Sequence, residues 1–442
     1  MPLASIPRLI ARPTWRFLQT EVAGGVLLVI TTTVALVWAN TPLVGAYDRL
    51  WGTTLGVALG GHVLEMSLRG WVDNGLMTVF FLTVGLELKR ELTVGELRDP
   101  RAAALPIIAA LGGMVGSALV YVAFTAGTAQ VHGWGIPMAT DLAVALGVLS
   151  LGCRDVASPV KLFVLALAVA DDLGSIVVLA IFYEHNFDAV ALGAALGVFA
   201  VAAVCRLAGV GWWPVYALLG IGVWLALDKA GVSPTLAGVA MGLLAPGRPR
   251  LSPEETEARE DELLDLSSPR AVRRTVHIAL GAVPRAEWLG LQLHPWSSFL
   301  AVPLFALANA GIPFGGGSLA KGGVTGLAGG VLFGKLVGKF VGVVGATLLA
   351  QRLGIGRLPE GMGLREVLGV GALAGIGLTV SFLVANLALG ATAQQHQAKL
   401  AVLVAAVISA VAATAILRGG RRTRGEPTEP SGSADAPGAP AP

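Results

Sequence analysis

LFVLALAVADDLGSIVVLAIFY, the segment from residue 162 to residue 183, is long and apolar enough to cross a lipid bilayer as a single helix. Its polar side chains are Asp171 and Asp172 near the centre and Ser175 one turn later. One ionisable group at the centre of a span costs roughly 2.5–3.5 kcal/mol on insertion scales. Two in succession therefore predict a functional site, the alternative being that one of them only pairs with a basic residue to hold helices together.

Two neighbouring carboxylates cannot both ionise cheaply in a low dielectric, so the pair is expected to hold a proton or to be neutralised by a cation. Carboxylate oxygens suit hard cations, and no cluster of His and Cys accompanies them. Consecutive residues point about 100° apart on a helix, so one acid can bind while the other pairs elsewhere. Asp171 and Asp172 thus predict a site that exchanges H⁺ for a metal cation.

The composition predicts an all-α polytopic membrane protein. Hydrophobic residues make up 55% of the 442 residues and charged residues only 13%, with a mean hydropathy of +0.73, which excludes an ordinary soluble protein. Long apolar runs without period-two alternation favour helices over barrel strands. Hydropathy predicts about twelve spans, at approximately 18–39, 71–88, 103–125, 134–151, 161–183, 189–206, 212–228, 233–246, 296–312, 323–349, 366–389 and 397–418.

Placing both termini in the cytoplasm satisfies the positive-inside rule, because most Lys and Arg residues then lie on the cytoplasmic side. The exceptions outside the spans are placed externally: Arg49, Arg69, Lys229, Lys321 and Lys399. The basic cytoplasmic side is expected to attract anionic lipid headgroups of the surrounding bilayer, and it gives no sign of nucleic-acid binding.

Three regions flank or interrupt the transmembrane domain, which is expected to cover residues 18–418 after a cytoplasmic N-terminus of residues 1–17. An external loop at about 45–70 has a Trp51–Leu59 portion suited to a short hairpin. A cytoplasmic loop at about 247–293 mixes acidic and basic residues. The tail from 419 to 442, rich in Pro, Gly and Arg, is expected to be disordered.

Two spans are expected to be interrupted. In Trp134–Asp141, Pro137 removes an amide donor beside glycines, and Gly369–Ser381 carries four glycines before Thr379. Non-helical backbone at membrane depth survives only where it is buried in protein or lines a polar cavity. Such a pair in two halves of a chain predicts a transporter site built from inverted-topology repeats, with two discontinuous helices.

Other charged residues within the spans are candidates for the same site. Lys339 is the expected counter-charge of an aspartate, and Lys335, four residues earlier, is the alternative. The spare lysine would snorkel or line a pore. Asp141, with Thr140, is expected to offset the dipole ends at the first break, or simply to cap a helix.

A charged cluster, Glu87, Lys89, Arg90 and Glu91, ends the second span. It is interpreted as a solvated helix end, the alternative being a funnel or pH-sensing cluster that controls cation access. His294, just before the ninth span, is the histidine best placed for a pH response, although a helix-start residue is the simpler interpretation.

Seven strings, in order, closely resemble the NhaA family of bacterial Na⁺/H⁺ antiporters over roughly residues 15–418. They are VGLELKRE (84–91), ATDLAVALG (139–147), ADDLGSI (170–176), GVSPTLAG (231–238), HPW (294–296), ANAG (308–311) and GIGLTVS (375–381). The resemblance implies a twelve-helix inner-membrane exchanger that expels Na⁺ or Li⁺ electrogenically, with more than one H⁺ entering per cation and no cofactor.

By the same resemblance, Asp172 is the principal cation ligand and proton carrier. Asp171 alternates between the site and an ion pair with the lysine, and Asp141 and the lysine balance the two crossing, interrupted helices. The distance to Leu358-Pro359 favours Lys339 as that lysine.

Further properties implied by the resemblance concern the two faces of the membrane. Glu87 and Glu91 match the family's cytoplasmic-funnel glutamates, and a homodimer is expected to form through an external hairpin at 45–60.

Two positions depart from the family pattern. Ser233-Pro234 stands where well-known members have a histidine, so no pH-response role is carried over to that position. The usual Asn-Asp order appears reversed as Asp73-Asn74, and both residues are expected at the membrane interface.

Two functions of other classes are weighed against antiport. A sodium-coupled symporter of a small organic solute shares broken helices and carboxylates but needs a larger substrate cavity. An intramembrane aspartyl protease also uses two buried aspartates, but on different helices that face each other, which adjacent residues cannot do.

Overall fold

The fold is taken from a computed structural model, which describes residues 21–59, 62–95, 98–152, 158–183, 188–210, 212–249, 283–314, 326–356, 358–359, 361–390 and 392–418, with the single residues 268, 275, 278 and 281. The N-terminus 1–17, the tail 419–442 and most of the predicted loop at 247–293 lie outside the described residues. The predictions for those segments stay predictions.

The described residues form helices and one two-stranded hairpin. In chain order they are α1 (Glu21–Ala39), α2 (Val44–Gly52), β1 (Thr54–Leu59), β2 (His62–Ser67), α3 (Leu68–Thr93), α4 (Pro100–Thr125), a 3₁₀ helix (Ala129–Gly135), α5 (Leu142–Gly152), α6 (Ser158–Phe182), α7 (Ala189–Leu207), α8 (Trp213–Lys229), α9 (Leu236–Leu244), α10 (Arg285–Asn309), α11 (Gly326–Arg352), α12 (Leu364–Ala374), α13 (Thr379–Ala388) and α14 (Thr392–Arg418).

The all-α polytopic class is confirmed, and each predicted span coincides with one or more of these helices. Within the described residues, seven helices are long and apolar enough to cross a membrane, or nine if each of two bent pairs counts as one span. The count of twelve is not confirmed. The helices α5, α8 and α9 have 11, 17 and 9 residues and are too short to qualify alone.

Both predicted interruptions are present. After the 3₁₀ helix, residues 136–141 are non-helical until α5 begins, and α12 and α13 are separated by residues 375–378 and bent by 45°. The two interruptions meet: the Asp141 amide donates to the carbonyl of Ile376 at 2.7 Å, and the Thr140 hydroxyl donates to that of Ala374 at 2.9 Å. Each break therefore satisfies part of the exposed backbone of the other.

The hairpin pairs β1 with β2 antiparallel, with Thr54 opposite Ser67. The sequence predicted it within Trp51–Leu59, but Trp51 belongs to α2, where its ring is buried against Tyr47. The Trp71 indole of α3 donates to the carbonyl of Leu55 at 2.9 Å, which ties the hairpin to the helical bundle.

The ninth span begins earlier than predicted. The helix α10 starts at Arg285, so His294 lies inside it, exposed, and the helix-start interpretation is wrong. The charged residues of this segment suggested a loop, but Ala286 is buried against Leu86 of α3 and extends the helix. A π-helical turn at Ser297–Ala301 follows Pro295 and carries the helix past the proline.

Glycines set the distance between α4 and α11. Gly112 and Gly116 of α4 face Gly342 and Gly338 of α11, and a Cβ on either glycine of α11 would fall against a carbonyl oxygen of α4. Small residues four apart on both helices allow the backbones to approach closely. Because α11 carries both buried lysines in its π-helical turn Gly334–Lys339, this crossing positions them.

We expect Gly342→Val to lower the free energy of unfolding by about 1–3 kcal/mol, because the added methyls must separate two packed backbones. The measurement is thermal unfolding of the purified protein in detergent. Gly345→Val is the matched control, since an added Cβ at Gly345 meets nothing within 4 Å. An equal loss in both variants would mean that the crossing tolerates extra volume.

Candidate functional site

Asp171 and Lys339 form an ion pair in the interior of the protein. The Lys339 ammonium donates to Asp171 Oδ2, and both side chains are 0% exposed. Asp171 comes from the middle of α6 and Lys339 from the π-helical turn of α11, 168 residues away. Of the two candidate lysines, Lys339 is therefore the one in contact with Asp171.

Asp172 differs from its neighbour. It is partly exposed, and the charges acting on it are those of Asp171, Asp141 and Glu87, which are negative, and of Lys339, which is positive. Adjacent positions on one helix thus place the Asp171 carboxylate in an ion pair and leave the Asp172 carboxylate outside that pair. Because consecutive residues point about 100° apart on a helix, the two carboxylates can have different partners.

Asp141 lies where the two interruptions cross. Its Oδ1 accepts from the Val144 amide at 3.3 Å, which caps α5, and its Oδ2 accepts from the Thr379 hydroxyl at 3.2 Å, at the start of α13. The predicted position of Asp141 beside the break is present, and so is the helix cap that the sequence offered as its simpler role. One carboxylate thereby connects the starts of two half-helices.

Lys335 contacts the first break. Its ammonium donates to the carbonyl of Ala139 at 3.0 Å, and the side chain is fully buried. A buried lysine donating to a carbonyl in non-helical backbone neither snorkels to an interface nor faces lipid. The lysine at the break is therefore Lys335, whereas the resemblance implied a single lysine for both tasks.

The acidic and basic side chains described above, here called the ion cluster, do not carry equal numbers of opposite charges. Three carboxylates (Asp141, Asp171, Asp172) and two ammonium groups (Lys335, Lys339) leave one net negative charge when all are ionised, which one monovalent cation or one proton would neutralise. Two oxygens on α6, Asp171 Oδ1 and Ser175 Oγ one turn later, are buried and have no hydrogen-bond partner in the described part of the chain. The donor set is thus oxygen, as hard cations prefer.

Comparison with known proteins gives the family. The family model described as Na⁺/H⁺ antiporter 1 matches residues 15–417. The chain belongs to this family. Proteins named Na(+)/H(+) antiporter NhaA 2 from Sorangium cellulosum and Na(+)/H(+) antiporter NhaA from Syntrophobacter fumaroxidans are 42% and 41% identical, each over 95% of this chain and over 92% and 93% of their own lengths. The relative from Serratia proteamaculans, Na(+)/H(+) antiporter NhaA, is 40% identical over 91% of this chain and 97% of its own.

The resemblance to the NhaA family is confirmed, and this antiporter family consists of transporters, not enzymes. The chain is accordingly a membrane protein of several spans.

A cavity of about 700 Å³ lies at the end of α3 in this antiporter, and Arg90 and Glu91 of that helix line it. Glu91 is 3% exposed and forms an ion pair with the exposed Arg90 at 3.0 Å, so the solvated-end interpretation is wrong for Glu91. Glu87 and Lys89 are partly exposed. The lining residues are Arg90, Glu91, Val94, Gly95, Arg98, Asp99, Pro100, Ala102, Leu162 and Leu165.

The cavity lies along the helix that carries the aspartates. Leu165 of α6 is in its wall, and Asp172 follows seven residues later on the same face of α6, roughly 10 Å along the axis. The cavity and the two aspartates therefore share the helix α6.

Sequence reasoning missed a second polar cluster. Asp73, expected at the interface, hydrogen-bonds with Asn309 and Asn386, and Lys399, expected outside, is buried against Asn309. These residues lie on four different helices, which hydropathy alone cannot bring together. The signal was a polar residue within each of several apolar segments, which predicts interior partners.

We expect Asp171→Asn to destabilise the protein by about 3–5 kcal/mol, because it leaves the Lys339 ammonium buried without a counter-charge. Asp171→Asn/Lys339→Met should recover part of this loss, as measured by unfolding in detergent. Asp188→Asn, at the exposed cap of α7, is the control and should change little. Strictly additive losses in the double variant would show that the two side chains are not coupled.

Proposed function

We propose that this chain exchanges one cytoplasmic Na⁺ or Li⁺ for more than one external H⁺, and so moves net charge across the cell's inner membrane. The family assignment supports sodium/proton exchange. The observation that carries the residue assignment is the pair of adjacent acids on α6, where Asp171 pairs with Lys339 and Asp172 forms no ion pair with any described residue. The ions are the substrates, and no cofactor takes part.

Asp172 is the proposed principal site at which H⁺ and the cation compete. Its carboxylate is either protonated or bound to Na⁺, because the net negative charge of the ion cluster suffices for one of them. Binding of one then expels the other, and opening of the site to one side of the membrane at a time converts that competition into exchange.

The second proton is assigned to the Asp171–Lys339 pair. If Asp171 turns to the cation, Lys339 loses its partner, and an ammonium buried without a counter-charge releases its proton. Return of Asp171 to Lys339 requires that proton back. This coupling makes transport electrogenic, because two protons move against one monovalent cation.

The crossed breaks are the proposed moving part. Asp141 and Thr140 join the two breaks through the hydrogen bonds described above, and Lys335 offsets the negative end of the carbonyl at Ala139. Half-helices that meet at charged side chains can shift relative to each other while their backbone groups stay satisfied. Lys335 thereby shares with Lys339 the compensating role that the resemblance gave to one lysine.

The cavity beside Glu91 is the proposed cytoplasmic entrance, with both termini on the same side. Glu87, Lys89, Arg90 and Glu91 surround or approach it and would control the local cation concentration. His294, exposed on α10, stays the candidate histidine for a pH response.

On the other face, Leu55 and Val57 of β1 are exposed apolar residues, which supports a homodimer formed through the hairpin. Anionic lipids are the proposed partners of the basic cytoplasmic side.

Asp172→Asn should abolish Na⁺- and Li⁺-dependent exchange at every pH, because an amide neither binds a proton in this range nor carries a charge. Dissipation of a preset pH gradient in everted membrane vesicles measures it, at matched protein amount. Asp188→Asn should retain wild-type exchange. Substantial activity of the Asp172 variant would refute the assignment of the site.

The apparent KM for Na⁺ should rise about tenfold for each unit that the pH falls through the acid range, because protonation of the site excludes the cation. The maximal rate at saturating Na⁺ should change much less. Vesicle assays over a matrix of pH and Na⁺ concentration give both quantities. A constant KM with a falling maximal rate would contradict competition at a shared site.

The vesicle assay also separates the rival functions. Antiport dissipates the pH gradient on addition of Na⁺ or Li⁺ alone, whereas a symporter needs its organic solute. An intramembrane protease is disfavoured by geometry as well as by family, because Asp171 and Asp172 lie on the same helix.

A further inference from the structure

The side chains of Asp73, Asn309, Asn386 and Lys399, here called the clasp, form a polar network that the antiport mechanism does not use. At its centre, Asn309 Nδ2 donates to Asp73 Oδ1 at 2.6 Å, while Asn309 Oδ1 accepts from the Lys399 ammonium at 3.2 Å. The amide thus faces the carboxylate with its donor and the ammonium with its acceptor. Both charges are satisfied by one neutral side chain.

The clasp reaches the broken span through α13. Asn386 Nδ2 donates to Asn309 Oδ1 at 2.8 Å and to Asp73 Oδ2 at 3.3 Å. Lys399 also stands over the ring of Phe382, 5.9 Å from its centroid, one turn before Asn386. Two positions of this ten-residue helix are therefore held by the clasp.

The same helix begins at the ion site. Thr379, its first residue, donates to Asp141, and Asn386 follows seven residues later on the same face, roughly 10 Å along the axis. A displacement of Asn386 is transmitted to Thr379, because α13 is a rigid rod of less than three turns.

The helices of the clasp form two packed pairs, and three of the four hydrogen bonds in the clasp run from one pair to the other. Asp73 and Asn309 lie on α3 and α10, which pack together, and Asn386 and Lys399 lie on α13 and α14, which pack together. The clasp therefore holds α13 and α14 against α3 and α10 at the end of the bundle where the hairpin lies.

The clasp does not have the chemistry of a second cation site. The groups that face the Asp73 carboxylate from Asn309 and Asn386 are N–H donors, and the positive charges of Lys399 and Arg69 act on it. A cation would meet donors and like charge there. The network is suited to holding helices, not to binding ions.

We infer that the clasp is a set of positioning residues for antiport, which fixes α13 so that Thr379 and Asp141 hold the crossed breaks in their binding geometry. The inference rests on the proposed function. Loosening the clasp should weaken cation binding more than it slows turnover, because the carboxylates themselves remain.

The first test replaces Asn386 by Leu, which removes both donors at similar volume. The KM for Na⁺ in everted vesicles should rise about tenfold, as the loss of one or two buried hydrogen bonds predicts, with the maximal rate per molecule within about twofold. Asn40→Leu is the matched control. Asn40 donates to the carbonyl of Ile312, just after α10, at 2.8 Å, and its hydrogen bonds within the described residues do not reach α13.

The second test examines the charges. Asp73→Asn should raise the KM because the Lys399 ammonium loses its counter-charge, and Asp73→Asn/Lys399→Gln should lie closer to wild type than Asp73→Asn alone. Asp73→Asn/Asn74→Asp, which restores the family's order, should not rescue the KM, because a carboxylate at position 74 points elsewhere on the helix.

An unchanged KM in Asn386→Leu and Asp73→Asn, with only a lower melting temperature, would reduce the clasp to a scaffold and overturn the inference. If Asn386→Leu does not fold, Asn386→Gln and Lys399→Arg carry the same comparison. Absence of Na⁺-dependent exchange in the wild-type protein would instead refute the proposed function. The two failures are therefore distinguishable.

Discussion

A charge buried in a low-dielectric interior must be neutralised by something within a few ångströms, and this requirement organises the protein. Asp171 is neutralised by Lys339, and the pair requires that α6 and α11 be held in fixed register. The glycines of α4 and α11 permit that register, and the π-helical turn at Gly334–Lys339 presents both lysines inward. Asp172, which forms no ion pair in the described part of the chain, is the carboxylate that we propose for the exchanged ion.

The spans, the two breaks and the aspartate pair were predictable because their signals are local in sequence. A run of apolar residues, a proline among glycines or two adjacent acids carries its meaning without knowledge of the fold. The choice between Lys339 and Lys335 was narrowed only by the resemblance, since both lie on one face of one segment. Their separate partners, Asp171 and the carbonyl of Ala139, appear only in three dimensions.

The predictions that failed or were missing depend on long-range contacts. Asp73 was placed at the interface because it lies near the end of a span, yet its partners Asn309 and Asn386 are 236 and 313 residues away. His294 was taken as a helix start because it lies just before the ninth predicted span, but burial of Ala286 against α3 extends the helix. Glu91 was assigned to solvent by its charge alone, and it is buried beside Arg90. In each case, contacts between residues that are distant in the sequence determined the environment of the side chain, and the local sequence pattern does not contain them.

The stem of Lys339 passes close to Gly113 of α4, where a Cβ would lie 3.6 Å from Lys339 Cε and against a methyl of Val343. Exchanging glycine for alanine in a helix is a common first choice when engineers seek more thermostable variants. At this position the extra carbon would displace Val343, which lies one turn after Lys339 on α11, while it would meet the Lys339 side chain only at an ordinary contact distance. An attempt to improve crystallisation or shelf life of this transporter at Gly113 would therefore disturb the helix that carries the ion pair, whereas Gly193 and Gly197 of α7, where an added Cβ meets nothing within 4 Å, are open to the exchange.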